Sequence, residues 1–341
     1  MAANYWESTQ RKHWQFTKDD LSAIRERLDD EDPTLVHMFP LPPLRHLNIY
    51  FNQQINRLGK RLGVRQQAMA TAQVYLKRFY TLTPIRQTNP YLLITTALYL
   101  ACKMEECPQH IRLLTQEARS LWPSDLHGHD ASRVGECEFS LISEMHSQLI
   151  VHQPYRTLLA LQDEFALTHD ETSLAWTVIN DHYMTDLPLL HPPHVIALTA
   201  VLLALVLRPS GNAPGAGAAG AGGVAMAATA LAQAQARAAA MASGGGAGFG
   251  SQGSQQQQQA GFSQGSSQGE APAAEPKKVT DPRLAKVQRF AAWLADSNID
   301  VEAMVDCTQE LISFYECHEQ YNDKHTREQI SRFIKARNLD K

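Results

Sequence analysis

The sequence predicts an all-α protein assembled from two helical units of similar plan. Three observations carry this. First, 15 of the 19 glycines fall between Pro209 and Gly269, so the rest of the chain holds only Gly59, Gly63, Gly128 and Gly135. Sheets and nucleotide-binding loops use glycine for turns and close phosphate approach, and about 7% is ordinary. Second, apolar residues recur at steps of three and four on both sides of that segment. Third, two stretches apolar nearly all round, Leu92–Cys102 and Val195–Leu207, occupy equivalent places about 100 residues apart, as an internal repeat requires.

The elements follow in order. Leu44, Leu47, Phe51, Ile55, Leu58 and Leu62 form one helical stripe, and Met69, Ala72, Leu76, Phe79 and Tyr80 form the next. Asn89 and Pro90 read as N-cap and first residue of a third helix. A fourth runs from about Gln109 to Leu121, before Pro123. A fifth shows Val134, Glu138, Leu141, Met145 and Leu149 on one side and Phe139 and Ile142 on another, so it needs two neighbours. The second unit opens with an amphipathic stretch from Pro154 to Phe165. Thr168 and Glu171 have capping-box spacing ahead of a helix with Trp176, Ile179 and Tyr183. His191, Pro192 and Pro193 precede the second apolar helix. Asp281 and Pro282 start a helix with Leu284, Val287, Ala291 and Leu294 on one stripe. Ser297 and Asp300 cap a last one carrying Val301, Met304, Thr308, Leu311 and Tyr315.

Between the third and fourth helices of the second unit lies a Gly/Ala/Gln/Ser tract, Pro209–Gly269, whose only charge is Arg237. Such a composition buries too little apolar surface to offset its ordering entropy, and disorder is the expectation. Gly248, Gly250 and Gly253 match G-x-G-x-x-G there, with neither the strand before nor the helix after that a dinucleotide site needs.

Composition also excludes functions. A net charge of −4 and a pI near 6.4 supply no field to hold nucleic acid. Five cysteines form no C-x-x-C pair and are expected as free thiols in a reducing compartment. Met1–Gln15 lacks a signal-peptide apolar run. Val195–Leu207, the longest apolar stretch, is shorter than the roughly 18 residues that span a bilayer. A soluble intracellular protein without membrane contact is the expectation. There is no G-K-[ST] loop, H-E-x-x-H, G-x-S-x-G or kinase signature, so neither catalytic residues nor a cofactor is expected. His127, His129 and Asp130 read as a solvated turn rather than metal ligands. Cys317 and His318 lack identifiable partners for zinc. Arg57, Lys60, Arg61, Arg65, Lys77 and Arg78 read as a solvated basic helix face, with an acidic or phosphate-bearing partner as the alternative. Lys103, Glu105 and Glu106 close the first apolar helix, and Glu138 sits in a helix with two apolar sides. Such charges must reach water or find partners.

These last residues carry a resemblance. Leu100-Ala101-Cys102-Lys103-Met104-Glu105-Glu106 resembles the end of the third helix of a cyclin box, and Gln66–Tyr80 resembles its second. Glu136-Cys137-Glu138-Phe139 and Leu149–Arg156 are similar to the fifth helix and inter-repeat joint of transcriptional cyclins. Asn4-Tyr5-Trp6, Leu174-Ala175-Trp176, Asn180-Asp181, Tyr183-x-Thr185-Asp186-Leu187 and Pro192-Pro193 point to the cyclin C family. The resemblance covers about Ala3–Leu207 and resumes near Val279.

The resemblance implies two five-helix cyclin-box repeats, at 41–152 and at 153–208 with 279–320. Around them it implies an N-terminal helical extension at 1–40, a disordered insert at 209–278 and a C-terminal helical tail at 321–341. It implies a non-catalytic nuclear subunit that binds and activates a cyclin-dependent kinase of the Mediator kinase module, regulating RNA polymerase II transcription as activator or repressor. Kinase contact falls to Lys103 and Glu138, with Met104, Glu106 and Ile142 beside them. A groove for another subunit of that module falls to Trp6, Trp176, Asn180, Asp181 and Tyr315, although on spacing alone Trp176 reads as core. The alternatives are a cyclin of a general transcription initiation or elongation kinase, and a DNA-binding factor with a duplicated cyclin-like fold.

Overall fold

The computed structural model describes residues 4–123, 125, 130–207 and 282–339. Among these are fifteen α-helices and no strand. The insert and the pair His127 and His129 lie outside the described residues. Three short helices come first: α1 (Thr9–His13), α2 (Lys18–Asp30) and α3 (Pro33–Met38). The first repeat follows as α4 (Leu44–Arg61), α5 (Gln66–Phe79), α6 (Pro90–Met104), α7 (Ile111–Leu121) and α8 (Ala131–Glu144). The second is α9 (Tyr155–Leu161), α10 (His169–His182), α12 (Pro193–Leu207), α13 (Pro282–Ala295) and α14 (Val301–Glu319). A short α11 (Leu187–Leu190) joins α10 to α12, and α15 (Asp323–Ala336) closes the chain.

Local chemistry sets the helix ends. Asn89 Oδ1 accepts from the Tyr91 and Leu92 backbone N–H groups with Pro90 in the first turn, and Thr168 and Glu171 make the reciprocal capping box. Asp300 caps α14, whereas Ser297 sits in the preceding turn and accepts from Ile299 N–H. Gly63 ends α4 with φ +63°, a left-handed position that glycine fills without strain. It returns the Val64 N–H to the Gly59 carbonyl at 2.9 Å. The stretch read as reaching Phe165 stops at Leu161, and a turn with Ala166 at φ 47° carries Phe165 into the core, 1% exposed.

Each apolar helix is the axis of its repeat. On α6, Tyr91, Ile94, Ala97, Leu98, Ala101 and Cys102 are fully buried between α4, α5, α7 and α8. On α12, Val195–Val201 are buried against α9, α10, α13 and α14. Burial of one large aliphatic side chain is worth about 1.5–3 kcal/mol, so these two helices anchor two separate cores. Two expected stripes are shifted. On α13, Ala291 faces solvent and Phe290 is buried, because Phe290 packs on Phe165 at 5.0 Å, with Trp293 at 5.3 Å from the same ring. On α14, Cys307 and Phe314 join Met304, Leu311 and Tyr315 inside, while Val301 is exposed.

The C-terminal segment is more than a tail. Ile330, Phe333 and Ile334 of α15 are fully buried in the first repeat's core. Asn89 donates to the Leu339 carbonyl at 2.9 Å and Arg337 to the Arg86 carbonyl at 3.2 Å. At the other end, α1 clamps the joint between repeats. The Gln10 amide donates to the His152 carbonyl and accepts from its N–H, and Trp14 donates to Gln148 at 2.7 Å.

Candidate functional site

The end of α6 lies against α8, and their facing charged residues meet. Lys103 Nζ bonds both Glu138 carboxylate oxygens, at 2.7 and 2.9 Å, and sits 4.2 Å from the centroid of Tyr99, one turn back. Partial burial is the largest single influence on the Lys103 pKa and pulls it down, but the hydrogen bonds and charge of Glu138 together with Tyr99 outweigh it, so the net shift is upward. A lysine at the last turn also complements the carbonyl end of the helix dipole. The helix closes just beyond it, where Glu106 takes a left-handed φ of 52°. That lets the Cys107 N–H reach the Cys102 carbonyl at 2.9 Å and leaves Glu106 exposed.

Around this ion pair the surface is apolar. Met104 is 40% exposed and Phe139 76% exposed, and Ile142 and Tyr99 are half-buried. The two apolar sides of α8 thus have different fates. Val134, Leu141 and Met145 are buried within the repeat, while the side bearing Phe139 opens to solvent. Fixed charges embedded in exposed apolar surface form an arrangement suited to docking a protein. Tyr99 and Phe139 are members of this face that sequence reasoning does not assign to it. The available signal for Phe139 is the second apolar side of its helix.

The five groove residues are not all on the surface. Trp6 is 53% exposed, in a single turn Tyr5–Glu7, with its ring 5.2 Å from His194 and under the Arg11 guanidinium. Trp176 is half-buried against the second core and lies 4.5 Å from Tyr155, whose hydroxyl donates to Asn180 at 2.8 Å. Asp181 and Tyr315 are interior, 3% and 2% exposed, and the Tyr315 hydroxyl donates to Asp181 at 3.2 Å. As part of an exposed groove these two are corrected: they brace α10 against α14 from within. The reason is register, since Asp181 shares the inward side of α10 with Val178 and His182.

Burial pushes the Asp181 carboxyl up to about 7, against the Tyr315 hydrogen bond that lowers it. The folded pKa is therefore above the unfolded value of 3.8, and between the two the native state holds a proton the unfolded state has lost. Stability then falls as pH rises through this window and levels above it. Asp181→Asn should flatten that slope: its melting temperature, measured from pH 4.5 to 8, gains on the parent as pH rises. Parallel curves would show that Asp181 does not titrate this way.

The basic cluster divides. Arg57, Lys60, Arg61 and Arg65 are exposed, Arg57 and Arg61 pairing with Asp323 and Glu117. Lys77 and Arg78, read with them as a solvated face, are buried at 8% and 0% exposed. Arg78 donates to the Gln148 carbonyl and lies over Trp14 at 5.1 Å, so it belongs to the joint. Cys317 packs on the second core and His318 stands against Phe314. Among the described residues no three His, Cys, Asp or Glu side chains gather as a metal site, and no helix is long and apolar enough to cross a membrane.

Comparison with known proteins agrees with this architecture. The Cyclin, N-terminal domain family matches residues 43–150, the first repeat. The chain is 82% identical to the RNA polymerase II holoenzyme cyclin-like subunit of Chaetomium globosum and 68% identical to that of Neurospora crassa. It is 51% identical to that of Aspergillus oryzae, and in all three pairs the whole of both chains is covered. Among solved structures, a chain of the CAK complex from Chaetomium thermophilum bound to ATP-gamma-S shares the fold at TM-score 0.56 and 17% identity, with 99% of this chain and 88% of that one covered. With whole-length identity this high, the chain belongs to the family of RNA polymerase II holoenzyme cyclin-like subunits.

Proposed function

We propose that this chain is the regulatory subunit of a cyclin-dependent kinase of the Mediator kinase module, and acts in the nucleus on RNA polymerase II transcription. The observation that carries the reading is the Lys103–Glu138 pair set in exposed apolar surface of α6 and α8, a face with no neighbour among the described residues. A kinase is active when its αC glutamate pairs with the strand lysine. A partner that binds only that arrangement shifts the population toward it. Moving a kinase from about 1% to about 99% active takes roughly 5.5 kcal/mol of differential binding, within reach of an interface with a desolvated charged anchor. The chain itself performs no reaction in this scheme.

Affinity purification of the tagged chain from nuclear extract, with mass spectrometry, tests the assignment. A Mediator-associated kinase is expected in stoichiometric yield. A general initiation or elongation kinase in its place would move the assignment to the sibling function, and recovery with no kinase would overturn it. A DNA-binding role would instead show as salt-dependent retention on duplex DNA, which the charge of −4 disfavours.

The same proposal gives Trp6, Trp176 and Asn180 to a second subunit, with Asp181 and Tyr315 holding the wall from inside. Trp6→Ala should leave the melting temperature within about 1 °C, since an exposed surface change is usually worth under about 0.5 kcal/mol. It should lose the second subunit on co-purification and keep the kinase. Retention of both would remove Trp6 from the surface.

A further inference from the structure

A cavity of about 280 Å³ lies between α4, α5, α2 and the joint of α10 with α11. Its walls are mostly apolar, with Leu28, Leu47, Phe51, Ile55, Leu76 and Tyr80 among them. Three cations and two anions also line it. Arg25 is paired with Asp186 and Arg86 with Asp29, each at 2.9 Å. Lys77 is the cation left over. It is 8% exposed, and among the described residues no carboxylate oxygen lies within ion-pair distance of its ammonium and no group accepts a hydrogen bond from it.

Two buried amide side chains that line the same cavity each have one unpartnered atom as well. Gln73 donates to Asn56, and Asn56 donates to Asn52. In this relay the Asn52 Nδ2 donor and the Gln73 Oε1 acceptor are left without partners. Buried polar groups are rarely left so, because each has given up its water. Burial lowers the Lys77 pKa to about 8, with Asp186 opposing that shift.

From the unpaired Lys77 ammonium and Asn52 amide, both on residues lining this largely apolar cavity, we infer a binding site for a small monocarboxylate with an apolar body. Lys77 and Asn52 would hold the carboxylate. Lys77 has three donors and lies one turn from Gln73, so it can serve that carbonyl too. One uncompensated cation matches one negative charge, not the two of a phosphate monoester. The volume suits roughly nine or ten non-hydrogen atoms, at about 30 Å³ for each water-sized group.

The probe is octanoate, added to the full-length chain during thermal unfolding, with 1-octanol and inorganic phosphate as the arms that separate apolar filling from free-anion binding. Octanoate should raise the melting temperature in proportion to the logarithm of its concentration, well above octanol, with phosphate inert. Lys77→Met keeps the side-chain length and removes the charge. It should weaken octanoate about tenfold or more without changing the octanol response. Asn52→Asp supplies an internal carboxylate and should raise the melting temperature of the free chain while abolishing the octanoate response. Equal effects of octanoate and octanol, a response to phosphate alone, or an unchanged octanoate response in both variants would each overturn the site.

Discussion

Lys103→Glu is expected to abolish capture of the kinase while the circular dichroism spectrum stays helical. The two effects separate because of where the charge sits. In the free chain the Lys103–Glu138 pair is partly solvated, with the lysine side chain 41% exposed, and such pairs contribute about 0–1 kcal/mol to stability. Under a docked kinase the same charges lose their water, and a reversed charge there costs about 2–5 kcal/mol of binding or more, at least roughly thirtyfold in affinity. The double variant Lys103→Glu with Glu138→Lys should recover the small stability loss by restoring the internal pair, yet still fail to capture kinase, because the partner meets the opposite charge order. Capture undiminished in the single variant would refute the assigned role of this face.

Phe333→Ala should be the most damaging single substitution in the C-terminal segment. Its ring is fully buried in the first repeat's core together with Ile330 and Ile334, and truncating a buried phenylalanine to alanine costs about 3–5 kcal/mol. The melting temperature should drop on the order of 10 °C. Removing residues 322–341 should lower it further, since α4 would then expose the surface that α15 covers. A loss under about 0.5 kcal/mol in denaturant unfolding of Phe333→Ala, as for an exposed position, would mean that α15 merely drapes over the repeat.

How much of this can be read from sequence depends on the range of the interaction. Helix starts at Asn89-Pro90, Thr168–Glu171 and Asp300 are legible because a cap is settled within four residues. The two apolar axes are legible because a helix without a polar side must be surrounded. The docking of α15 is not, since it closes the chain while its partner α4 opens the first repeat. No local pattern records so distant a pairing. Lys77 and Arg78 look like a continuation of the basic run from Arg57 to Arg65. Yet the apolar neighbours Val74, Tyr75 and Leu76 on the same helix are buried, and α5 is enclosed on nearly every side.

The candidate site divides in the same way. Lys103 and Glu138 emerge through the cyclin resemblance, and the structure places them in direct contact. Phe139 carries a readable signal, a second apolar side that no neighbour among the described residues covers. Tyr315 is legible as inward from the apolar stripe of its helix, but Asp181 carries no such signal, because the rotation of α10 that turns it inward is fixed by packing against α12 and by the Tyr315 hydroxyl of α14. Periodicity alone places Asp181 between an inward and an outward position.

In the proposed role the chain does no chemistry itself and holds a kinase in its working conformation. This role is tested most directly by separating the co-purified kinase from the chain and measuring phosphate transfer to a peptide before and after adding the purified chain back. Activity near background for the kinase alone, restored by the parent chain but not by Lys103→Glu, is the predicted result. A kinase equally active without the chain, or phosphate transfer by the chain with a catalytically dead kinase, would contradict it.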